Sequence, residues 1–217
     1  MESLRKKLTD SFRLSNDEWS MVSDNINSIS LQKGDFFIEQ GKLCRNSGFI
    51  LDGVIRYFSY DEKGNDPTCY FGYETFYITD PFTFKKQELS EINLQAVTPC
   101  EIAVISFDSH QKLQHIFPRW NDICNQLLLE VSMDFANQKG LLAMNAAERY
   151  DYFTEKYPTV VRRVPLQYVA SYLGTTFTQQ DQEKYALILF TLFLAITLAY
   201  EKPAESFMKP WRWKRQV

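Results

Sequence analysis

Six of the chain's eight glycines (Gly34, Gly41, Gly48, Gly53, Gly64 and Gly72) fall within one stretch of 39 positions. Between them lie short runs rich in branched and aromatic residues: Phe36-Phe37-Ile38, Gly48-Phe49-Ile50-Leu51 and Val54-Ile55-Arg56-Tyr57-Phe58, with Ile102-Ala103-Val104-Ile105 further on. Asp52-Gly53 and Lys63-Gly64-Asn65 are hairpin signals, because glycine accepts the positive φ that tight turns demand. Short strands at close, regular turn spacing over residues 31–107 predict a small β-barrel or jelly roll. The 17 Phe and 12 Tyr can fill a substantial core.

The flanks have another texture. Residues 1–30 read as helical, with Ser15-Asn16-Asp17-Glu18 forming an S-x-x-E capping box. From 108 to 142 the apolar period becomes helical: Trp120, Cys124, Leu127, Val131 and Phe135 recur at spacings of three and four, and Leu128, Leu129 and Met133 widen the stripe. Apolar residues on more than one side predict a long helix that buries a second face against another copy. The alternative is a helix packed only on its own barrel. Residues 145–176 form a third block. Asn145-Ala146-Ala147-Glu148 is a second capping box, and the helix it opens is stopped by Pro158. Leu166, Val169, Ala170 and Leu173 then make one apolar face, which Gly174 ends and Thr175 or Thr176 follows as a cap. Helix, glycine turn and threonine cap together are a helix-turn-helix signature.

Little points to catalysis. No Ser/His/Asp or Cys/His arrangement, phosphate-binding loop or metal box is visible, so neither an enzyme nor a cofactor is expected. The four cysteines (Cys44, Cys69, Cys100, Cys124) lack zinc spacing and read as isolated thiols in a reducing cytosol. His110 and His115 lack neighbouring ligands and are expected to pack or face solvent. The start, MESLRKKLTDSF, has no apolar core of a secretion signal, which predicts a cytoplasmic protein. A net charge of −3 argues against a generic polyanion binder but leaves room for a local basic face.

Three segments together resemble the Crp/Fnr family of bacterial transcription regulators: Gln32-Lys33-Gly34-Asp35 … Glu39-Gln40-Gly41 … Gly48-Phe49-Ile50-Leu51-Asp52-Gly53; Ala96-Val97-Thr98-Pro99-Cys100-Glu101-Ile102; and Ala147-Glu148-Arg149-Tyr150 … Tyr157-Pro158 … Val164-Pro165-Leu166-Gln167-Tyr168-Val169-Ala170-Ser171-Tyr172-Leu173-Gly174. The resemblance implies an α+β chain: a cyclic-nucleotide-binding-like barrel over 1–115, a dimerisation helix over 116–142 and a partial winged helix-turn-helix over 143–176. It places an effector pocket at Phe71, Gly72, Tyr73, Glu74, Ser90 and Glu91. It places DNA contacts at Arg162, Arg163, Gln167, Thr175 and Thr176, and a homodimer interface at Trp120, Cys124, Leu127, Val131 and Phe135.

The chain departs from the family pattern twice. Cyclic-nucleotide binders close the phosphate cassette with Arg followed by Ser or Thr; those places here fall at Ser90-Glu91, and a glutamate repels a cyclic phosphate. Cyclic AMP is therefore not an expected ligand. The segment from Cys69 to Phe84 is strongly aromatic and either closes on itself or takes an unidentified apolar effector. The cysteine cluster of iron–sulfur members is absent.

The second departure is the tail, 177–217. Where the family continues with a Leu-Ser-Arg-Ile-Arg recognition helix, this chain reads Phe177-Thr178-Gln179-Gln180-Asp181-Gln182-Glu183-Lys184. An apolar run from Tyr185 to Tyr200 and a basic end follow. The run falls short of the ~17–25 residues of a membrane span. Its basic end also violates the positive-inside tendency if it anchors a cytoplasmic body. A native extra helix is the second possibility. The third is a shifted reading frame: Gln179 to Lys184 written CAG CAG GAT CAG GAA AAA reads, one base later, Ser-Arg-Ile-Arg-Lys. The third ranks first, so the chain is expected to keep its sensor and dimer helix with DNA binding weak or lost. The rival from another class is a dimeric module that binds a small molecule or protein and no DNA.

Overall fold

The computed structural model describes residues 1–138 and 144–174, with side chains through Met133 and again from Met144. Phe135, Thr175, Thr176 and the tail fall outside these residues or side chains. Two short helices open the chain. In α1 (Glu2–Phe12), Leu4, Leu8 and Phe12 repeat every four residues and are all buried. The capping box forms at the start of α2 (Asn16–Ser23): Ser15 Oγ accepts from the Glu18 N–H, and the Glu18 carboxylate accepts from the Ser15 N–H.

The helical expectation for 1–30 fails at its end. Asn27–Leu31 is a strand, β1. Its ladder partner lies some 70 residues away, with Ile29 opposite Ile102. The remaining strands are β2 (Phe36–Ile38), β3 (Asn46–Asp52), β4 (Ile55–Phe58), β5 (Thr68–Gly72), β6 (Tyr77–Ile78), β7 (Asn93–Ala96) and β8 (Cys100–Ser106). They form two four-stranded sheets in the orders β1-β8-β3-β6 and β2-β7-β4-β5. Every pairing is antiparallel. This is the expected roll.

Strand alternation sorts the side chains into separate cores. Ile50 of β3 and Ile102 and Val104 of β8 point between the sheets, where they meet Ile55, Tyr57, Tyr70 and Leu94. Their neighbours Phe49, Ala103 and Ile105 point outward. There they meet α1, α4 (Phe107–Ile116) and the long helix α5 (Trp120–Gln138).

Three of the five residues expected at the homodimer interface face the chain's own core. Trp120, Cys124 and Leu127 are buried in the chain's own core against the first sheet, because α5 lies directly on the roll. Val131 is half-buried against the inter-sheet cluster. Among the described side chains of α5, the exposed large apolar ones are Leu129, 41% exposed, and Met133, 60% exposed.

Where α4 meets α5, Trp120 Nε1–H donates to His110 Nδ1 at 3.0 Å, and the other ring nitrogen, Nε2, lies 3.0 Å from Gln114 Nε2. The ring also meets Phe84 edge-on. Burial lowers the His110 pKa from 6.5 to about 4. A depressed base binds its proton less readily folded than unfolded. Its stabilising contribution is therefore complete above pH 6.5 and lost as pH falls toward 4. The effect amounts to roughly 2–3 kcal/mol, allowing for a partly open ring. Melting temperature between pH 6.5 and 4 should fall more steeply in the wild type than in His110→Gln; parallel slopes would remove the assignment.

Candidate functional site

The cassette runs from β5 through the turn at 73–76 into β6 and the short helix α3 (Pro81–Lys86). Its rings close on one another. Tyr57 meets Tyr70 at 5.8 Å, Tyr70 meets Phe76 at 5.7 Å and Tyr73 meets Phe76 at 4.9 Å between centroids. Gly72 sits beneath the side chains of Ile50 and Ile78, where a Cβ would be in close contact.

The six candidate pocket residues divide between two places. Phe71 faces away from the inter-sheet core toward the C-terminal helices. Glu74 accepts from the Gly53 N–H at 3.0 Å and from Arg163 Nη1. Burial pushes its pKa up, but these donors outweigh burial and hold the carboxyl below its usual value. Ser90 belongs elsewhere: it is buried, and its hydroxyl donates to Asp80 Oδ2 at 2.8 Å. Glu91 is exposed. A buried carboxylate beside Ser90 and a second carboxylate next in sequence make this corner hostile to a phosphodiester.

The C-terminal block contains α6 (Ala146–Lys156), α7 (Pro158–Val161) and α8 (Leu166–Tyr172). Its capping box forms at Asn145 and Glu148, and Gly174 takes a φ of 71°, both as the sequence predicts. Arg162 and Gln167 are exposed. Arg163 is instead committed to the roll, bound to Glu74 and 3.7 Å from Asp52 Oδ1.

Sequence reasoning missed how the block is seated. It caps the open edge of the second sheet, whose last strand is β5. The Thr68 N–H donates to Ser171 Oγ of α8 at 2.9 Å. Phe71 packs on Phe153 and Tyr172, and Val54 and Val97 join Val160, Val164, Val169 and Leu173. The Arg56 guanidinium lies between the rings of Phe58 at 3.9 Å and Tyr168 at 4.1 Å. It is 3% exposed and bonded to Asp66 and Gln95. The one available signal was an arginine inside an apolar strand, since a buried cation demands partners.

The four thiols are free, and burial raises the pKa of each, to about 12 for Cys69 and Cys124. Thiols held protonated are poor nucleophiles. Among the described residues there is no cluster of His, Cys, Asp and Glu able to hold a metal. Nor, among them, is any helix long and apolar enough to cross a membrane.

No family model and no curated protein matches the chain. Solved structures do. The c-di-GMP-responsive global regulator CLP of Xanthomonas campestris superposes with a TM-score of 0.61 at 14% identity, over 83% of this chain and 92% of its own. FixK2 of Bradyrhizobium japonicum gives 0.59 at 13%, over 80% and 83%. The catabolite activator protein of Thermus thermophilus gives 0.52 at 16%, over 84% and 85%. Likeness at such identity speaks for the arrangement of elements. The chain has the fold of the Crp/Fnr-type regulators, a cyclic-nucleotide-binding-like roll followed by a long helix and a C-terminal helical block.

Proposed function

We propose that this chain is a Crp/Fnr-type transcription regulator: a roll that senses a small molecule or condition, a long helix that pairs two copies, and a helical block built to read DNA. The observation that carries this reading is the order roll, long helix, helical block, shared with regulators over at least 80% of this chain and of each of the three. It acts in the cytoplasm, as a homodimer, without catalysis or a resident cofactor. The proposed domain bounds are those expected from the sequence: 1–115 for the sensing roll, 116–142 for the pairing segment and 143–176 for the reader.

The effector is not cyclic AMP. At the Ser90-Glu91 position, where a cyclic phosphate needs a cation, the chain offers a serine bonded to the Asp80 carboxylate and then a glutamate. The self-packed rings of the cassette leave the effector's identity open to a small apolar or uncharged molecule.

Pairing uses the side of α5 that carries Leu129 and Met133, since Trp120, Cys124 and Leu127 serve the chain's own core. In the dimer, two reader blocks address half-sites about one DNA turn apart. Lysine and arginine contacts to phosphates give such binding a steep salt dependence. Arg162 and Gln167 remain outward for phosphate contact. No base-reading arginine follows Gly174 in the usual place, so we expect DNA binding by this copy to be weak or lost. The commitment of Arg163 to Glu74 favours the second reading, a dimeric sensor without DNA binding. Selection from a pool of random duplexes separates the two. Recovery of a two-fold symmetric site with salt-sensitive affinity supports the regulator; a folded dimer that enriches nothing supports the sensor.

A further inference from the structure

The helical block is fastened to the roll by several contacts, and its ion pair is built on a single turn. That turn, Tyr73 to Phe76, lies against β3: the Thr75 N–H donates to the Ile50 carbonyl at 2.7 Å, and the Ile50 N–H donates to the Phe76 carbonyl at 3.0 Å. Thr75 has a φ of 67°, an uncommon conformation for a β-branched residue. Such a backbone persists only where its surroundings hold it.

One side chain holds it from the N-terminal helix. Lys7 Nζ donates to the Thr75 carbonyl at 3.1 Å. The same ammonium lies 3.6 Å from Glu130 Oε2 on α5 and 5.9 Å over the Phe76 ring. Glu130, 52% exposed, sits in sequence beside Leu129, itself exposed on the side of α5 proposed above for pairing. One residue before Thr75, Glu74 grips Arg163. A continuous set of contacts thus runs from α5 through Lys7 and the turn to the helical block.

We propose that the turn at residues 73–76 is a latch: Glu74 holds the helical block docked on the roll, and Lys7 sets the position of the turn from the long helix. A change in how α5 is paired draws Glu130 away from or toward Lys7. The turn shifts with it, and the block is released or retained. The latch deepens the regulator reading, since it supplies the step between pairing and the freedom of the reader block. It is nonetheless testable without DNA.

The test is amide hydrogen exchange on the full chain, followed over Val164 to Leu173 and, as an internal reference, over the paired strands β1 and β8. Glu74→Gln keeps an acceptor for the Gly53 N–H but removes the charge. It should speed exchange in the block about three- to tenfold while the reference strands stay unchanged. Lys7→Met should speed exchange in the same region and add little on top of Glu74→Gln. Lys7→Gln, which can still donate to Thr75, should recover most of the protection. Block exchange unaffected by Glu74→Gln or Lys7→Met overturns the latch. So does equal acceleration of block and reference strands, or effects of the two substitutions that multiply independently. Failure of the chain to bind DNA changes none of these outcomes and bears on the regulator reading alone.

Discussion

Leu127→Asp is expected to leave no stably folded chain, whereas Met133→Asp is expected to leave a folded monomer. The two residues lie on one helix six positions apart and face different environments. Leu127 is 1% exposed and packed in the core that α5 shares with α1, α4 and the first sheet. An aspartate there loses the leucine's contacts and buries an unpaired carboxylate. Together these cost upward of ~4 kcal/mol, a large share of the ~5–15 kcal/mol that a domain has. Met133 is 60% exposed, so a charge costs the fold almost nothing and acts on pairing instead. Far-UV circular dichroism reads the first effect and light scattering the second. A folded monomeric Leu127→Asp would mean that the buried stripe of α5 belongs to a partner after all.

Gly53→Ala should be nearly as damaging, at about 3–5 kcal/mol. Gly53 closes the turn between β3 and β4 with a φ of 107°. An added Cβ would sit 2.6 Å from the Pro99 carbonyl oxygen and 2.8 Å from Cys100 Cα, and would overlap the Cys100 sulfur. Little of this can yield. The adjoining backbone is tied by Val54 N–H to Thr98 Oγ1 at 2.9 Å and by Val97 N–H to the Val54 carbonyl at 2.8 Å. Gly64→Ala is the control. Its φ is 81°, yet nothing lies within 4 Å of the added Cβ, so only the backbone cost of about 1 kcal/mol applies. Urea midpoints for the two variants should differ clearly; equal midpoints would mean that the crowding at Gly53 is relieved by movement.

What could be read in the sequence was local. The capping boxes at Ser15 and Asn145 involve residues three apart, and both form. The turns at Gly53 and Gly64 depend on one residue's φ, and both are left-handed. Periodicity placed Trp120, Cys124 and Leu127 on one buried stripe of α5, but did not say what covers it. A stripe looks the same whether it packs on its own roll or on a partner. The strand at Asn27–Leu31 went unseen because its identity depends on pairing with β8, far away in the chain. The seating of the helical block was equally hidden. Arg163 and Glu74 are 89 positions apart, and Thr68 and Ser171 are 103 apart. No local pattern joins them. The fold itself was legible because each short element agrees with its neighbours, and that consistency specifies a roll and helices together.

DNA binding by this chain is to be compared with that of a version whose coding sequence is shifted to the next frame after codon 176. Both are titrated, at several salt concentrations, against the duplexes that the shifted version selects from a random pool. With Gln179 to Lys184 encoded as CAG CAG GAT CAG GAA AAA, so that the shifted version carries Ser-Arg-Ile-Arg-Lys there, salt-sensitive, site-specific binding is expected of the shifted version and weak or no binding of this chain. Tight, selective binding by this chain as it stands, or none by the shifted version, would contradict this expectation.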